Sequence, residues 1–210
     1  MRLYYRIMRF LCQVVFFLLW RVRVYGLVNV PQDGAVVLAC SHQSFLDPVL
    51  ATMALPRECH YMARDTLFRN RWFRLLIESL NAFPVKRDSA DVGAIKEILR
   101  RLRDGQLVVT FPEGTRTLDG GLQPLREGSL LVAKRAKATI VPTVIYGAFQ
   151  CWPRSRRLPR PGAIHVAYGP AIKPAEVEAA SVSELSDRTS AALRALHSRI
   201  AHKHARDRRL

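Results

Sequence analysis

The sequence predicts an α/β fold, a mostly parallel central sheet flanked by helices, with an amphipathic helix at its N-terminus. Three observations lead there. From residue 35 onward, short β-rich runs alternate with stretches of helical length, the rhythm of strands laid side by side with helices returning over the sheet. The chain has 210 residues, 49% of them hydrophobic, enough for one sizeable core, and neither an internal repeat nor a low-complexity linker divides it. Every charge before Asp33 is positive.

The N-terminal segment carries those charges. Arg2, Arg6, Arg9, Arg21 and Arg23 surround the uncharged run FLCQVVFFLLW, residues 10–20. A helix of that length reaches only about 16 Å, against the roughly 30 Å hydrocarbon core of a bilayer. The run is therefore too short to span alone. Arg2, Arg6, Arg9 and Gln13 form one polar stripe, with Leu3, Ile7, Leu11, Val14 and Leu18 on the opposite side. This is the pattern of a helix lying in the membrane interface: arginines toward acidic headgroups, Phe16 and Phe17 in the apolar run, Tyr4, Tyr5 and Trp20 as interfacial aromatics. The competing reading is an amphipathic helix packed on the body of the protein. On the first reading, residues 1–25 are an interfacial membrane helix and residues 26–210 are the α/β domain. The protein is then peripheral or monotopic on the cytoplasmic face of the cell membrane.

Further along, AVVLAC (35–40) reads as a buried strand and DPVLATMAL as the helix after it. HYMA (60–63) is a less marked strand. RNRWFRLLIESL is a helix with Trp72, Leu75, Leu76 and Ser79 along one side. FPV (83–85) is a short strand, followed by a helix in SADVGAIKEILRRLRDG that Ser89 or Asp91 can cap and Gly105 can end. QLVVTF (106–111) follows that stop and runs into a turn, so it is the best-marked strand. REGSLLVAKRA then forms a helix and TIVPTVIYG a strand. AIHVAYG alternates larger and smaller residues, as a sheet-edge strand does. PRSRRLPRP (153–161) is a Pro-rich loop. It is either solvated or in contact with membrane phosphates or a nucleotide-containing substrate. A helix from Ser183 to His202 closes the pattern.

In such a sheet, ligands sit beyond the carboxyl ends of the strands. Three polar groups fall there: SHQSFLD after the strand 35–40, KRD (86–88) after 83–85, and PEGTRT (112–117) after 106–111. Asp47 followed by Pro48 fits a helix N-cap with proline at the first helical position. A cap needs no histidine, however. The turn can also fold His42 back onto the Asp47 carboxylate, which would fix the ring tautomer and leave the other nitrogen to take a proton from a hydroxyl. Residues alone leave both readings open. In the third group, Gly114 permits a tight turn, while Glu113, Thr115, Arg116 and Thr117 set charges and hydroxyls beside backbone N–H groups, an arrangement suited to a phosphate monoester. Arg87 can add a second guanidinium.

SHQSFLDP, NAFPVKRD, FPEGTRT and IVPTVIYG, in that order, resemble the four blocks of the glycerolipid acyltransferase family. The resemblance covers the middle half of the chain. It implies an acyl-CoA or acyl-carrier-protein thioester as donor and a lysophospholipid as acceptor, with no cofactor and no metal. It also implies His42 as general base and Asp47 as its orienting partner. By the same resemblance, Arg87, Glu113, Gly114, Thr115 and Arg116 hold the acceptor phosphate, and Pro142 lies near the acyl donor. Two positions depart from the usual blocks: Asn81 stands where the second commonly begins with glycine, and Thr117 where the third commonly ends in serine. Cys40 leaves a different chemistry open, an acyl-enzyme route through a Cys-His pair.

With 33 Lys and Arg against 17 Asp and Glu, the net charge is +16, so the expected partner is anionic. The sequence carries no recognisable nucleic-acid-binding motif, and the basic residues accompany an apolar helix and a Pro-rich loop. Anionic membrane lipids are expected, and nucleic acid is not. The four cysteines form no CxxC pair, which suggests neither a zinc site nor a disulfide framework. His197, His202 and His204 lie in a charged terminal stretch that reads as a solvated tail.

Overall fold

The computed structural model describes residues 1–86 and 91–207. In chain order the elements are α1 (Leu3–Leu19), β1 (Trp20–Tyr25), β2 (Val36–Cys40), α2 (Asp47–Leu50), β3 (Cys59–Arg64), α3 (Arg71–Ser79), β4 (Ala82–Val85), α4 (Val92–Arg103), β5 (Leu107–Thr110), α5 (Gly128–Arg135), β6 (Thr139–Tyr146), α6 (Ala148–Cys151), β7 (Gly162–Tyr168), α7 (Pro174–Ala179) and α8 (Val182–Asp207). The strands form one sheet in the order β1-β7-β6-β2-β5-β3-β4, and neighbours are parallel except β6 with β7. The α/β fold with a mostly parallel sheet is the one its sequence predicts.

Central position explains the composition of β2. It pairs with β5 on one side and β6 on the other and is buried on both faces, so it reads as the unbroken apolar run VVLAC. Its side chains alternate between two cores. Val36, Leu38 and Cys40 meet Phe16, Trp20 and Leu50 on one face, while Val37 and Ala39 meet Ile98, Leu102, Leu130 and Leu185 on the other. The helix α4 starts where the Asp91 side chain accepts the Ala94 N–H at 2.9 Å, and it stops before Gly105 at φ 71°.

Several sequence expectations change. The N-terminal helix does not extend to residue 25: it ends at Leu19, and residues 20–25 form β1, paired in parallel with β7. WRVRVY alternates apolar and basic residues with the period of a strand, a signal masked by the apolar run before it. AIHVAYG is accordingly an interior strand, and β1 takes the edge. DPVLATMAL gives only one helical turn, α2, followed by turns. In α3, Trp72, Leu75 and Leu76 face outward, Trp72 with 78% of its surface exposed, and it is Phe73, Ile77 and Leu80 that face a cavity. His204 is not in a solvated tail; it is buried against the rings of Tyr146 and His165.

The polar stripe of α1 turns inward, opposite to the headgroup-facing orientation expected of its arginines. Arg2 pairs with Glu58 at 3.1 Å, Arg9 donates to the Leu55 carbonyl, and Gln13 donates to the Met53 carbonyl at 2.7 Å. Those carbonyls follow α2, where no helix continues to satisfy them. Arg6 remains exposed. Phe16 and Trp20, expected at a membrane, are buried in the core with ring centroids 5.0 Å apart. Their burial contributes roughly 3–6 kcal/mol to docking the helix. Phe17 is outward, 84% exposed, next to Leu18 at 74%. Among the described residues no helix is long and apolar enough to cross a membrane.

Candidate active site

Because β2 to β6 run in one direction, the turns after β2 and β5 meet at one edge of the sheet. The first carries His42. Ser41 begins it, its N–H donating to the Thr143 carbonyl at 2.9 Å and its hydroxyl accepting the Ile145 N–H at 3.0 Å. Asp47, fully buried, then closes the turn. One carboxylate oxygen, Oδ2, accepts from His42 Nδ1 at 2.8 Å, from the Gln43 N–H at 2.6 Å and from the Ser44 N–H at 2.7 Å. Asp47 is the first helical residue and not the cap, so its side chain caps the turn behind it and not the helix ahead. Burial pushes the Asp47 carboxyl above the usual carboxylate range, opposed by His42 and by the Ser44 and Gln43 N–H groups. Three donors converging on one oxygen hold the ionised form. With Nδ1 engaged as donor, Nε2 is the nitrogen left to accept a proton.

The second turn holds the histidine from the other side. Phe111 stacks on the His42 ring with centroids 4.1 Å apart. Glu113 Oε1 accepts the His42 N–H at 3.1 Å, and the Thr117 N–H donates to the His42 carbonyl at 2.9 Å. Glu113 is therefore buried against the His42 turn, where the resemblance implied a phosphate ligand. Burial pushes its carboxyl up to about 8, against the N–H groups of His42 and Gln123, with Asp47 adding to the rise.

Gly114, at φ 74°, ends a turn closed by its N–H on the Phe111 carbonyl at 2.9 Å. A Cβ there would lie 2.7 Å from Nε of Arg126, whose side chain crosses the glycine. Sequence reasoning missed Arg126. It arrives from outside the motif through its own N–H, which donates to the Pro112 carbonyl at 2.8 Å, and no local pattern announces that return. Arg116 lies over the Phe45 ring with Cζ 3.6 Å from the centroid. Thr115 is exposed. Thr117 points inward, donating to Asp119 at 2.7 Å and accepting the Gly120 N–H at 3.1 Å. Arg87 lies outside the described residues.

Pro142 is buried in β6 opposite Ala39, inside the sheet, and does not line the apolar cavity walled by Phe111. Its carbonyl accepts the Gly169 N–H at 2.7 Å. Cys40 is fully buried in the core, and burial pushes its thiol well up, so no reactive thiolate stands beside His42. Among the described residues, no three His, Cys, Asp or Glu side chains come together in a way that could hold a metal ion.

On its far side Phe111 walls an apolar cavity of about 380 Å3. Tyr5, Met8 and Cys12 of α1 line it together with Phe73, Ile77 and Leu80. Its polar groups are largely used within the wall: Tyr5 and Tyr61 hydroxyls lie 3.1 Å apart, and Tyr61 and Thr52 hydroxyls 2.7 Å. A ligand in this space meets carbon on nearly every side.

A histidine at the end of a parallel strand, with Nδ1 on a buried carboxylate and its ring against the aromatic wall of an apolar cavity, can take a proton from a hydroxyl through Nε2. Over residues 21–146, more than half its length, the chain matches the family described as Acyltransferase, and it belongs to that family. Its relatives include the 1-acyl-sn-glycerol-3-phosphate acyltransferase of Bacillus subtilis (strain 168), 37% identical over 127 residues that cover 60% of this chain and 63% of that enzyme. The enzyme of the same description from Streptococcus pneumoniae (strain ATCC BAA-255 / R6) is 31% identical over 153 residues, 70% of this chain and 55% of that one. The chain thus spans less than two thirds of the length of either relative. Among solved structures, PlsC, the 1-acyl-sn-glycerophosphate acyltransferase from Thermotoga maritima, has the same fold, with a TM-score of 0.82 at 24% identity over 94% of this chain and 80% of that one.

Proposed function

We propose that this protein is an O-acyltransferase that moves a fatty acyl group from acyl-CoA or acyl-carrier protein to the free hydroxyl of a lysophospholipid. The relatives' descriptions favour 1-acyl-glycerol 3-phosphate as acceptor, with phosphatidic acid as product. One observation carries the reading: His42, with Nδ1 bound to buried Asp47, stacks on the aromatic wall of an apolar cavity.

In this mechanism His42 Nε2 takes the proton of the acceptor hydroxyl as its oxygen attacks the thioester carbonyl. The C–O bond forms, the C–S bond breaks, and the imidazolium returns the proton to the departing thiolate. Asp47 stabilises the imidazolium and keeps the ring in register. Arg116 and Arg126 flank the Gly114 turn where the acceptor phosphate docks, as charge-assisted donors to its oxygens. Glu113 serves by positioning His42. The cavity takes the acyl chain.

The protein docks peripherally on the cytoplasmic face of the membrane through the outward face of α1. That face presents Leu3, Ile7, Phe10, Val14, Phe17 and Leu18, all exposed, on a chain of net charge +16, a combination suited to an anionic bilayer surface. The test offers acyl-CoA and lysophosphatidate to detergent-purified protein and follows free thiol. Wild type releases thiol only with acceptor present, and His42→Ala does not. Equal release by the two proteins removes His42 as the base.

A further inference from the structure

The nine residues from Pro153 to Pro161 contain four arginines, and none of the four forms an ion pair among the described residues. A solvated basic loop would be loosely held. This one is fixed along its backbone. The Arg156 N–H donates to the Pro153 carbonyl at 3.1 Å, the Trp152 indole N–H to the Arg156 carbonyl at 3.1 Å, and the Arg160 N–H to the Cys151 carbonyl at 2.8 Å. With the main chain so occupied, Arg154, Arg157 and Arg160 point their charges into solvent. Between the last two sits Leu158, 75% exposed beside Pro159.

The loop joins two regions that the rest of the molecule marks as functional. At one end the indole N–H of Trp20, the residue just after α1, donates to the Arg160 carbonyl at 2.7 Å. That contact ties the loop to the C-terminal end of α1, whose Phe17, Leu18 and Leu19 are exposed. At the other end the Ser44 hydroxyl donates to the Trp152 carbonyl at 2.7 Å, and the Phe45 and Trp152 rings lie 5.3 Å apart. Both belong to the turn between His42 and Asp47. We propose that this arginine loop is a second membrane-docking element: Arg154, Arg157 and Arg160 bind the phosphates of anionic lipid headgroups while Leu158 enters the interface.

The exposed leucine decides for a lipid surface over the phosphates of a soluble acyl donor. A water-borne phosphate has no use for an apolar tip, whereas a bilayer rewards a leucine flanked by cations with both burial and charge neutralisation. The proposal rests on the membrane reading of α1, since the loop is tied to that helix's C-terminal end. It adds a consequence for the reaction. Docking at the loop brings the turn carrying His42 to the interface through Trp152, where a membrane-embedded acceptor presents its hydroxyl.

The experiment floats full-length protein with phosphatidylcholine vesicles, plain or doped with phosphatidylglycerol, and separately measures thiol release in detergent. The triple variant Arg154→Gln, Arg157→Gln, Arg160→Gln is expected to bind doped vesicles roughly 100-fold more weakly, the increment three cations give near an anionic surface. On plain vesicles it matches wild type. The corresponding triple Arg→Lys variant keeps its affinity for doped vesicles, and Leu158→Ser loses affinity on both. Turnover in detergent is unchanged in all three. Doped-vesicle binding equal to wild type in the triple Gln variant overturns the proposal. So does unchanged vesicle binding with a lowered donor kcat/KM in detergent, which would assign the loop to the donor's phosphates. If wild type binds vesicles as described but releases no thiol, the acyl-transfer reading fails and the docking result stands.

Discussion

Replacing Glu113 by glutamine isolates a carboxyl group whose ionisation burial disfavours. Glu113 is buried against the His42 turn, and its carboxyl is pushed up to about 8 from an ordinary 4.5. A raised carboxyl means that the folded protein binds a proton the unfolded chain has already released. Stability therefore falls as pH rises from about 4.5 and levels off once pH passes about 8, where the folded state ionises too. Glutamine has no proton to lose and can still accept the His42 N–H. The difference in unfolding free energy between variant and wild type should grow by about 1.4 kcal/mol per pH unit, on the order of 4 kcal/mol between pH 5 and pH 8. Urea unfolding in detergent at several pH values measures it, and the histidines and other carboxyls common to both proteins cancel in the difference. Turnover of the variant at neutral pH should stay within a few-fold of wild type, whereas Glu113→Ala, which leaves the His42 N–H without its acceptor, should lose kcat with KM for the acceptor little changed. A difference that stays flat from pH 5 to pH 8 refutes the reasoning, because it means Glu113 is ionised throughout.

Two further outcomes follow from the site. Asp47→Asn can keep an oxygen for the Gln43 and Ser44 N–H groups but loses the charge facing the imidazolium, so kcat should fall roughly thousandfold or more with a near-native unfolding midpoint. Asp47→Ala leaves both buried N–H groups unpaired and should cost about 1–3 kcal/mol for each in urea unfolding; equal stability of the two variants would deny Asp47 its part in holding the turn. For the cavity, donor kcat/KM should rise about fourfold per added methylene, at about 0.8 kcal/mol each, until the space is filled, and then level or fall. A rate indifferent to acyl length over the whole series would place the chain elsewhere.

Where a signal was local, the sequence could be read directly. Buried parallel strands such as VVLAC and LVVT announce themselves as apolar runs, and Asp91 and Gly105 bound α4 by chemistry that acts within a turn. The His42–Asp47 pair was half legible, since spacing permitted the contact while the cap offered an equal account of Asp47. Only the Phe111–Thr117 segment closing on His42 from β5, 71 residues away between His42 and Glu113, makes the turn a site. Arg126 and the cavity were not legible at all. Both depend on returns of the chain that no window of sequence contains. Glu113 shows a subtler limit, because residue type suggested a charge beside a phosphate whereas the fold buries its carboxyl against the His42 N–H.

The N-terminal helix shows why amphipathicity by itself does not give orientation. A helix on a soluble protein turns its apolar stripe to the core and its polar stripe to water. In α1 the polar residues Arg2, Arg9 and Gln13 instead satisfy a carboxylate and main-chain carbonyls of the body, while most of the apolar face looks outward. That arrangement costs little only if something other than water covers the outward face, because an exposed apolar surface of this extent is otherwise unfavourable. The same helix supplies Tyr5, Met8 and Cys12 to the cavity wall, so whatever covers α1 also lies against the chamber that backs His42. A bilayer would stabilise the outward face and, on the proposed function, also contains the lysophospholipid acceptor. The inverted helix, the apolar cavity and the locked histidine are on this account consequences of one requirement, that the acceptor be acylated without leaving the membrane surface.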